Sequence, residues 1–370
     1  MPEPQPQIRS GVCYAMFAYD VGLGIDLQDA ARLSIEATEH ETLRHKRRAP
    51  EWLEFNPAPV RIIQTGEPIS IAGFTTLPRV ESVLYDFGAV SVAYSIPLSG
   101  PLEGLLALSE SLYGNRALLD DSRRRVERIV HRITRAVDRP LIAPIVEDYA
   151  MFQLQELEGP GGVAVDAGRI AVEHRRILAQ VLRAEPGPLS EQEIGDAISS
   201  RIAYGPGEEA FIDWNAAVVL VREADDVKSV LEYANVELLE LRRLDDQLDL
   251  VLDRSYKALR PGRWPRSFRL VAGRELRRIA ELQMDSALLF EGVNNALKLV
   301  GDQYLARVYR LAAARMHLPD WDASILRKLQ TAESIYQKLS DQESMRRMEA
   351  LEWIIILLIA FEIGMAILRH

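Results

Sequence analysis

The chain has one cysteine, Cys13, and therefore cannot form an internal disulfide. Cys13 lies in an apolar run, which predicts a buried structural thiol in a protein of a reducing compartment. Of the six histidines, His40 and His45 are five residues apart. This is off the i, i+4 spacing that places two metal ligands on one helix face. We therefore expect no zinc site.

Compact catalytic and phosphate-binding motifs are also missing. The chain has no phosphate-cradling loop, no nucleophile elbow and no paired-cysteine or paired-histidine motif, and Gly22 and Gly24 lack the third glycine of a dinucleotide fingerprint. Asp86 and Asp213 are isolated acids beside aromatic residues, a setting typical of turns and caps. We expect no enzyme and no cofactor. The alternative is an enzyme whose dispersed active site uses acids such as these two.

The first residues lack the features of a targeting sequence. Residues 1–10 have neither an apolar signal core nor an Arg-rich, acid-free amphipathic pattern, and they predict a flexible tail. The composition, with 48% hydrophobic and 26% charged residues, is that of a folded chain. The net charge of -10 argues against a general nucleic-acid coat and against DNA as a partner, although a local basic patch is compatible with it.

Residues 11–221 predict a mixed α/β globular domain. β-formers broken by Gly and Pro alternate with helical stretches. The strands predicted are Val12–Ala18, Val60–Gln64, Ser82–Tyr85, Ala89–Tyr94, Glu147–Leu154 and Phe211–Val221. The helices predicted are Leu27–Arg47, Leu102–Ala136 with a break at Gly114, Ile170–Arg183, and one opened by a capping box at Ser190 and Glu193.

Residues 222–349 change to long helices without strand signals. Apolar residues recur at spacings of three and four, for example Ile325, Leu329 and Ala332. The breaks at Pro261-Gly262 and Pro319 divide the region into three helices. We expect two antiparallel hairpins that form a coiled-coil-like stalk.

Residues 350–368 form an apolar run of about nineteen residues, or roughly 28 Å as a helix, which is enough to span a bilayer core of roughly 30 Å. We expect a C-terminal transmembrane helix, hence a tail-anchored protein of the inner (cytoplasmic) membrane with its bulk on the cytoplasmic side and lipid as a partner. The alternative is a buried core helix or an oligomerisation helix. A carboxylate at Glu362 would need a partner, which favours a homo-oligomer. The anchor residues are Trp353, Ile354, Ile355, Ile356, Leu357, Leu358, Ile359, Phe361, Glu362 and Ile363.

Two groups of arginines stand out. The first would lie near the headgroups if the stalk helices fold back, forming a juxtamembrane collar. The alternative is a solvated loop paired with stalk acids such as Glu275 and Glu281. The collar consists of Arg263, Trp264, Arg266, Arg269, Arg274, Arg277 and Arg278.

The second group lies on the helix that follows Gly114. Arg124, Arg128, Arg132 and Arg135 gather away from its apolar stripe. This basic surface predicts phosphate contacts to RNA or contacts to an acidic protein partner. The alternative is a solvated helix whose charge Asp120, Asp121 and Glu127 compensate. No aromatic residue on this helix could stack on bases, so backbone contact is favoured over sequence reading.

Several segments resemble the required-for-meiotic-nuclear-division family, also called Sad-interacting-factor-like, a former domain of unknown function. They are QYLARVYRLAA, SILRKLQTAESIYQKL, RRMEALEWIIILLIAFEI, VLYDFGAVSV, VEDYAMFQ, LRRLDDQLDLVLDRSYKAL and the opening at residues 11–26. The chain is similar to a bacterial branch of this family. The resemblance implies no catalytic residues. It implies an oligomer that, in the mitochondrial member, tethers ribosomes at the membrane.

The expected function is therefore a non-enzymatic, oligomeric membrane scaffold. It would present its α+β domain to a partner, with the ribosome and the translation machinery suggested by the resemblance. The alternatives are the enzyme with a dispersed site and an RNA or ribosome tether acting through the basic helix at residues 123–135.

Overall fold

The computed structural model describes residues 6–33, 38–40, 58–159, 163, 165, 167–203, 205, 207–259, 280, 281, 284, 287 and 303–368. The chain divides into two compact units. The first comprises residues 1–243 and 287–321, and the second comprises residues 244–286 and 322–370. An N-terminal sheet followed by C-terminal helices confirms the predicted α+β class at this level.

The first unit is built on a nine-stranded sheet in the order β11-β12-β13-β10-β1-β8-β7-β4-β3. Two short pairs, β2 with β9 and β5 with β6, stand apart from it. The strands are β1 Gln7–Asp20, β2 Gly24–Ile25, β3 Thr38–His40, β4 Val60–Thr65, β5 Ser70–Ile71, β6 Phe74–Thr75, β7 Arg79–Leu84, β8 Ala89–Pro101, β9 Val137–Asp138, β10 Val146–Glu158, β11 Arg201–Ala203, β12 Glu209–Ile212 and β13 Ala216–Leu220.

Strand β1 lies at the centre and is antiparallel to both β8 and β10. It begins at Gln7, inside the segment predicted as a flexible tail, because its backbone pairs on both sides from that residue onward. Its side chains alternate between the two faces of the sheet. We call the face that carries Cys13, Phe17 and Tyr19 the first face, and the face that carries Tyr14 and Met16 the second face.

The helices that the structure describes flank this sheet in the first unit and continue into the second. They are α1 Leu27–Leu33, α2 Gly104–Leu112, α3 Arg116–Ile133, α4 Ala167–Glu173, α5 Arg175–Arg183, α6 Glu191–Ser199, α7 Asp225–Leu259, α8 Gln303–Arg315 and α9 Leu318–Leu368. A short 3-10 turn, Thr134–Ala136, follows α3.

The first face carries the main hydrophobic core of the unit. Leu105 of α2, Val126 of α3 and Leu178 of α5 pack in one cluster with Phe17 of β1 and Phe152 of β10. All five are at most 3% exposed. Because α3 has its apolar residues at helical spacing, it buries one side against the sheet and leaves the other in solvent.

The second face is covered by the first part of α7. Lys228 bonds to Glu81 of β7, and Asn235 donates from its side chain to the carbonyl of Glu147 on β10. Helix α8 joins this layer, since the Tyr309 hydroxyl donates to Glu237 at 2.5 Å. Residues 225–243 therefore belong to the sheet unit, although the sequence places them in a separate stalk.

Several local predictions are confirmed. Gly114 breaks the helical stretch between α2 and α3 with a φ of 64°, which is in the left-handed region. The Ser190 side chain accepts from the backbone N–H of Glu193 and caps α6, as its spacing predicts.

Other local predictions need correction. The helix predicted over Leu27–Arg47 ends at Leu33, and Thr38–His40 is instead an edge strand, because it pairs with β4. The helix predicted over Ile170–Arg183 is two helices that meet at His174. The strand predicted over Phe211–Val221 is a hairpin, since the N–H of Asp213 bonds to the carbonyl of Ala216 across a turn.

The second unit contains the end of α7 and most of α9. Ile325, Ala332 and Ile335 of α9 are buried, as are Leu248 and Val251 of α7. Lys328 pairs with Asp245 at 2.8 Å and with Asp249 at 2.6 Å. An apolar seam with a flanking ion pair therefore joins the two helical segments within this unit.

The predicted membrane anchor is wrong. Among the residues described, no helix combines the length and the apolar composition that a bilayer crossing requires. The predictions of a transmembrane helix, of a tail anchor and of a place in the inner membrane are therefore wrong as well.

Candidate functional site

The exposed side of α3 carries the basic surface that the sequence predicts. Arg124, Arg128 and Arg132 follow one another at four-residue steps, and Arg135 continues the row in the 3-10 turn. All four are exposed. The row is about 16 Å long because eleven residues separate its ends. We call these four residues the arginine stripe.

The helix beneath the stripe is anchored at its start and along its inner side. Asn115 caps it by accepting from the backbone N–H of Leu118 at 3.1 Å. Leu118, Ile129 and Ile133 are at most 2% exposed and fix the rotation of the helix on the sheet. The orientation of the stripe therefore follows from core packing.

One acid of α3 is engaged below the stripe. Asp121 accepts from Arg125 Nε at 2.6 Å and from the Tyr94 hydroxyl at 2.8 Å, while Arg124 is more distant at 3.5 Å. Burial alone would raise the pKa of Asp121, but the hydrogen bonds from Tyr94 and Arg125 outweigh it and lower the pKa. Asp121 thus remains ionised as the partner of the buried Arg125. It therefore compensates the positive charge of the arginine stripe less than its position in the sequence suggests.

A cleft of about 460 Å³ lies beside the N-terminal end of the stripe. One wall is the loop between β4 and β5, including Gly66 and Glu67, and the other is α3, including Asp120 and Arg128. A Cβ atom at Gly66 would collide with the guanidinium of Arg125. Glycine at this position therefore lets Arg125 pass under the loop and form the floor of the cleft.

The second face of the sheet holds a different set of charges. Lys228 is 4% exposed, bonds to Glu81 at 2.7 Å and lies 4.9 Å from the centre of the Tyr14 ring. Arg61 bonds to the same carboxylate at 2.8 Å. Burial alone would raise the pKa of Glu81, but Lys228 and Arg61 outweigh it and lower the pKa.

Acidic residues gather at one edge of the sheet, where β1 ends and β8, β10 and β13 begin. Asp20 ends β1 and pairs with Arg243, and Glu147 of β10 pairs with Arg242. Burial raises the pKa of Glu147 to about 7, although Arg242 and the neighbouring Asp148 act in opposite directions. This cluster is not visible in the sequence because its partners are about 95 to 220 residues apart along the chain.

The two acids singled out in the sequence are at this edge but do not converge. Asp213 precedes β13 and Asp86 precedes β8, with β10 and β1 between those strands. Three strand spacings separate them by roughly 14 Å. Burial raises the pKa of Asp86.

Asp213 is fully buried, and it forms ion pairs with two arginines and a hydrogen bond within the turn. It accepts from Arg183 Nε at 2.6 Å, from Arg315 Nε at 2.9 Å and from the N–H of Trp214 at 2.8 Å. Asp196 of α6 bonds to both arginines. The arrangement ties α5, α6 and α8 to the hairpin, which is a structural role.

The remaining predicted sites are only partly described. The collar at residues 263–278 lies outside the described residues. In α9, the side chains from Trp353 to Ile359 are 52–65% exposed. Phe361, Glu362 and Ile363 lie in the helix, but their side chains are outside the described set. Within the part of the chain that the structure describes, no group of three acidic, histidine or cysteine side chains could hold a metal ion.

Comparison with known proteins assigns the family. Residues 10–226 match the model described as the N-terminal domain of the uncharacterized protein MJ0711. The chain belongs to this family. It is 23% identical over 229 residues to the uncharacterized protein MJ0711 of Methanocaldococcus jannaschii, an alignment that covers 60% of this chain and 67% of the relative. No solved structure matches the chain. The matched region contains the sheet, the arginine stripe and the cleft, and it ends just inside α7.

Proposed function

We propose that this protein is a non-enzymatic, self-associating scaffold that presents its sheet unit to a partner. The observation that carries the proposal is the surface of α9 from Leu351 to Ile359. Every apolar side chain in this run is 52–65% exposed in the single chain. Glu352 is the one charged residue among these nine.

An apolar helix surface of this kind requires a protein cover in water. A helix that is apolar all round is stable only when it is buried. Each partner in a stable complex buries about 800 Å², and the largely exposed apolar side chains of this run can supply a substantial part of that area. Apolar patches of that size mark interaction sites.

A second copy of the same segment is the occupant we propose. It offers an equally long and equally apolar surface. Because Glu352 is the one charged residue among the nine, pairing of two copies in register costs little electrostatic free energy. The resemblance to the meiotic-nuclear-division family implies an oligomer as well, with the translation machinery as the partner.

Sedimentation equilibrium of the full chain tests the proposal. We expect a concentration-dependent mass above that of one chain, and a single-chain mass for the double variant Ile355→Lys, Leu358→Lys. The matched control, Gln330→Lys with Gln337→Lys, adds the same two charges to exposed positions of α9 and should associate like the wild type. A monomeric wild type, or two variants that behave alike, would rule out this interface.

An enzymatic role is the second candidate, and the acidic sheet edge favours it. A carboxyl group with a pKa near 7, as at Glu147, is suited to proton transfer at neutral pH. Thermal-shift screening of small phosphates and carboxylic acids would support this role if a compound raised Tm in the wild type but not in Glu147→Gln. Equal responses of the two proteins would count against it.

A further inference from the structure

We infer that the arginine stripe and the adjoining cleft form a binding site for single-stranded RNA, with phosphates on the stripe and one nucleoside in the cleft. This site deepens the proposed function on which it rests, because RNA would be the partner to which the scaffold presents its sheet unit. The site lies on α3 and the β4–β5 loop, which are far in sequence from the apolar run of α9.

The local charge of α3 favours a phosphate ligand. The whole chain has a net charge of -10, yet α3 contains six arginines against three acidic residues. Asp121 is committed to Arg125 and Tyr94, and Glu127 pairs with Arg123 at 3.3 Å. Asp121 and Glu127 therefore make their shortest contacts with arginines that lie off the stripe, and Asp121 reaches Arg124 of the stripe only at 3.5 Å. The stripe remains a positive row on an otherwise acidic protein.

The residue type and the spacing of the stripe suit phosphate groups. All four stripe residues are arginine, whose planar guanidinium binds phosphate with two parallel hydrogen bonds. Neighbouring members are about 6 Å apart along the helix. The row is about 16 Å long, so its four guanidinium groups can contact different phosphates of one strand. A linear polyanion fits this row better than a compact anion does.

The cleft favours RNA over DNA. Its volume of about 460 Å³ is in the range of small-molecule sites and has room for one unstacked nucleoside. Glu67 and Asp120 are exposed on opposite walls and can accept a hydrogen bond from a ribose 2′-hydroxyl. Deoxyribose lacks this group, so these carboxylates would repel a DNA strand without a compensating bond.

Fluorescence anisotropy with a labelled twelve-nucleotide uridine RNA and full-length protein tests the site. The triple variant Arg128→Glu, Arg132→Glu, Arg135→Glu should bind at least about tenfold more weakly. The slope of log affinity against log salt should fall by about 2, since each lost phosphate contact removes about 0.7. The matched control, Arg79→Glu, Arg201→Glu, Arg307→Glu, has the same change in charge at exposed positions of the first unit and should retain most of the affinity.

Two further measurements distinguish RNA from DNA and nucleic acid from an acidic protein partner. Thymidine DNA of equal length should bind more weakly than RNA, and Glu67→Gln with Asp120→Asn should narrow the difference. A polyglutamate peptide should not compete at equal charge. Equal binding by both triple variants, a preference for DNA, or stronger binding of the peptide would overturn the inference.

The association-deficient variant Ile355→Lys, Leu358→Lys separates this inference from the proposed function. Each copy contains a complete stripe and cleft, so a single RNA site should persist in this variant. Circular dichroism and Tm of the stripe and cleft variants should match the wild type, because all their changed side chains are exposed. A folded stripe variant with unchanged RNA affinity would contradict the site even if the protein self-associates.

Discussion

On the first face of the sheet, Phe152 and Leu154 of β10 pack among aliphatic and aromatic side chains, whereas on the second face Glu147 and Gln153 of the same strand meet charged and amide groups. Both faces are buried. The first face is stabilised mainly by removal of apolar area from water, which does not depend on protonation. The second face depends on pairing of buried charges, so its contribution should vary with pH.

The largest effect should come from the first face. Replacing Phe152, which is fully buried, by alanine leaves a cavity and should lower the free energy of unfolding by about 3–5 kcal/mol. Urea unfolding at pH 5 and pH 8 should give the same loss, because no titrating group is removed. A loss that changes strongly between these pH values would remove the distinction between the faces.

The next largest effect should come from Lys228→Met on the second face. Removing one partner of a buried pair typically costs about 3–5 kcal/mol, and the retained Arg61 should reduce the loss to about 2–3 kcal/mol at pH 7. The loss should shrink at low pH. The lowered pKa of Glu81 means that its stabilisation exists above its unfolded pKa and disappears as pH falls through its folded pKa.

An exposed control defines the background for this measurement. Lys338→Met removes the same charge from an exposed position of α9 and should change stability by less than about 0.5 kcal/mol. If Lys228→Met also stays within that limit, the buried ion pair does not stabilise the second face.

Glu147→Gln should raise the free energy of unfolding at neutral to alkaline pH, whereas Lys228→Met should lower it. The pKa of Glu147 is raised from 4.5 to about 7 in the folded protein, so the folded state binds the proton more tightly. Stability from this group is present below pH 4.5 and is lost as pH rises through 7. Glutamine avoids that loss, and above pH 7 the variant should be more stable by about 2 kcal/mol after the weaker contact to Arg242 is included. Unfolding curves from pH 4 to 8 that run parallel to the wild type would refute this.

The smallest effect should come from Ser91→Ala, also on the second face. Within the described structure the buried Ser91 hydroxyl has no hydrogen-bond partner. Its removal should therefore leave stability unchanged or raise it by up to about 1 kcal/mol. A loss above 1 kcal/mol in chemical denaturation would mean that this hydroxyl is bonded and that the second face is more fully paired.

Local signals in the sequence predict much of the first unit. The β-formers around Val12, Val60 and Ala89 lie in strands, Gly114 ends a helix, and the spacing of Arg124 to Arg135 gives one exposed row. These features depend on neighbours within one helix or strand. They are therefore visible without the tertiary fold.

What could not be predicted depends on distant residues. Helix α7 has a stalk-like period, but Lys228 and Arg243 find their partners on β7 and β1, about 150 and 220 residues earlier. The cleft requires the β4–β5 loop to lie over Arg125, which only the strand pairing establishes. In α9, the apolar run was interpreted as an anchor because hydropathy alone does not distinguish lipid from a protein cover.

Site-specific photo-crosslinking tests most directly whether copies of the chain meet through α9. With benzoylphenylalanine at Ile356 of the full chain, irradiation should yield a covalent dimer whose crosslinked peptide comes from the α9 segment of the other copy. The same label at Gln337 provides the control and should give little dimer. A label at Ile356 that reacts only within its own chain, or with the sheet unit of another copy, would contradict the proposed self-association through α9.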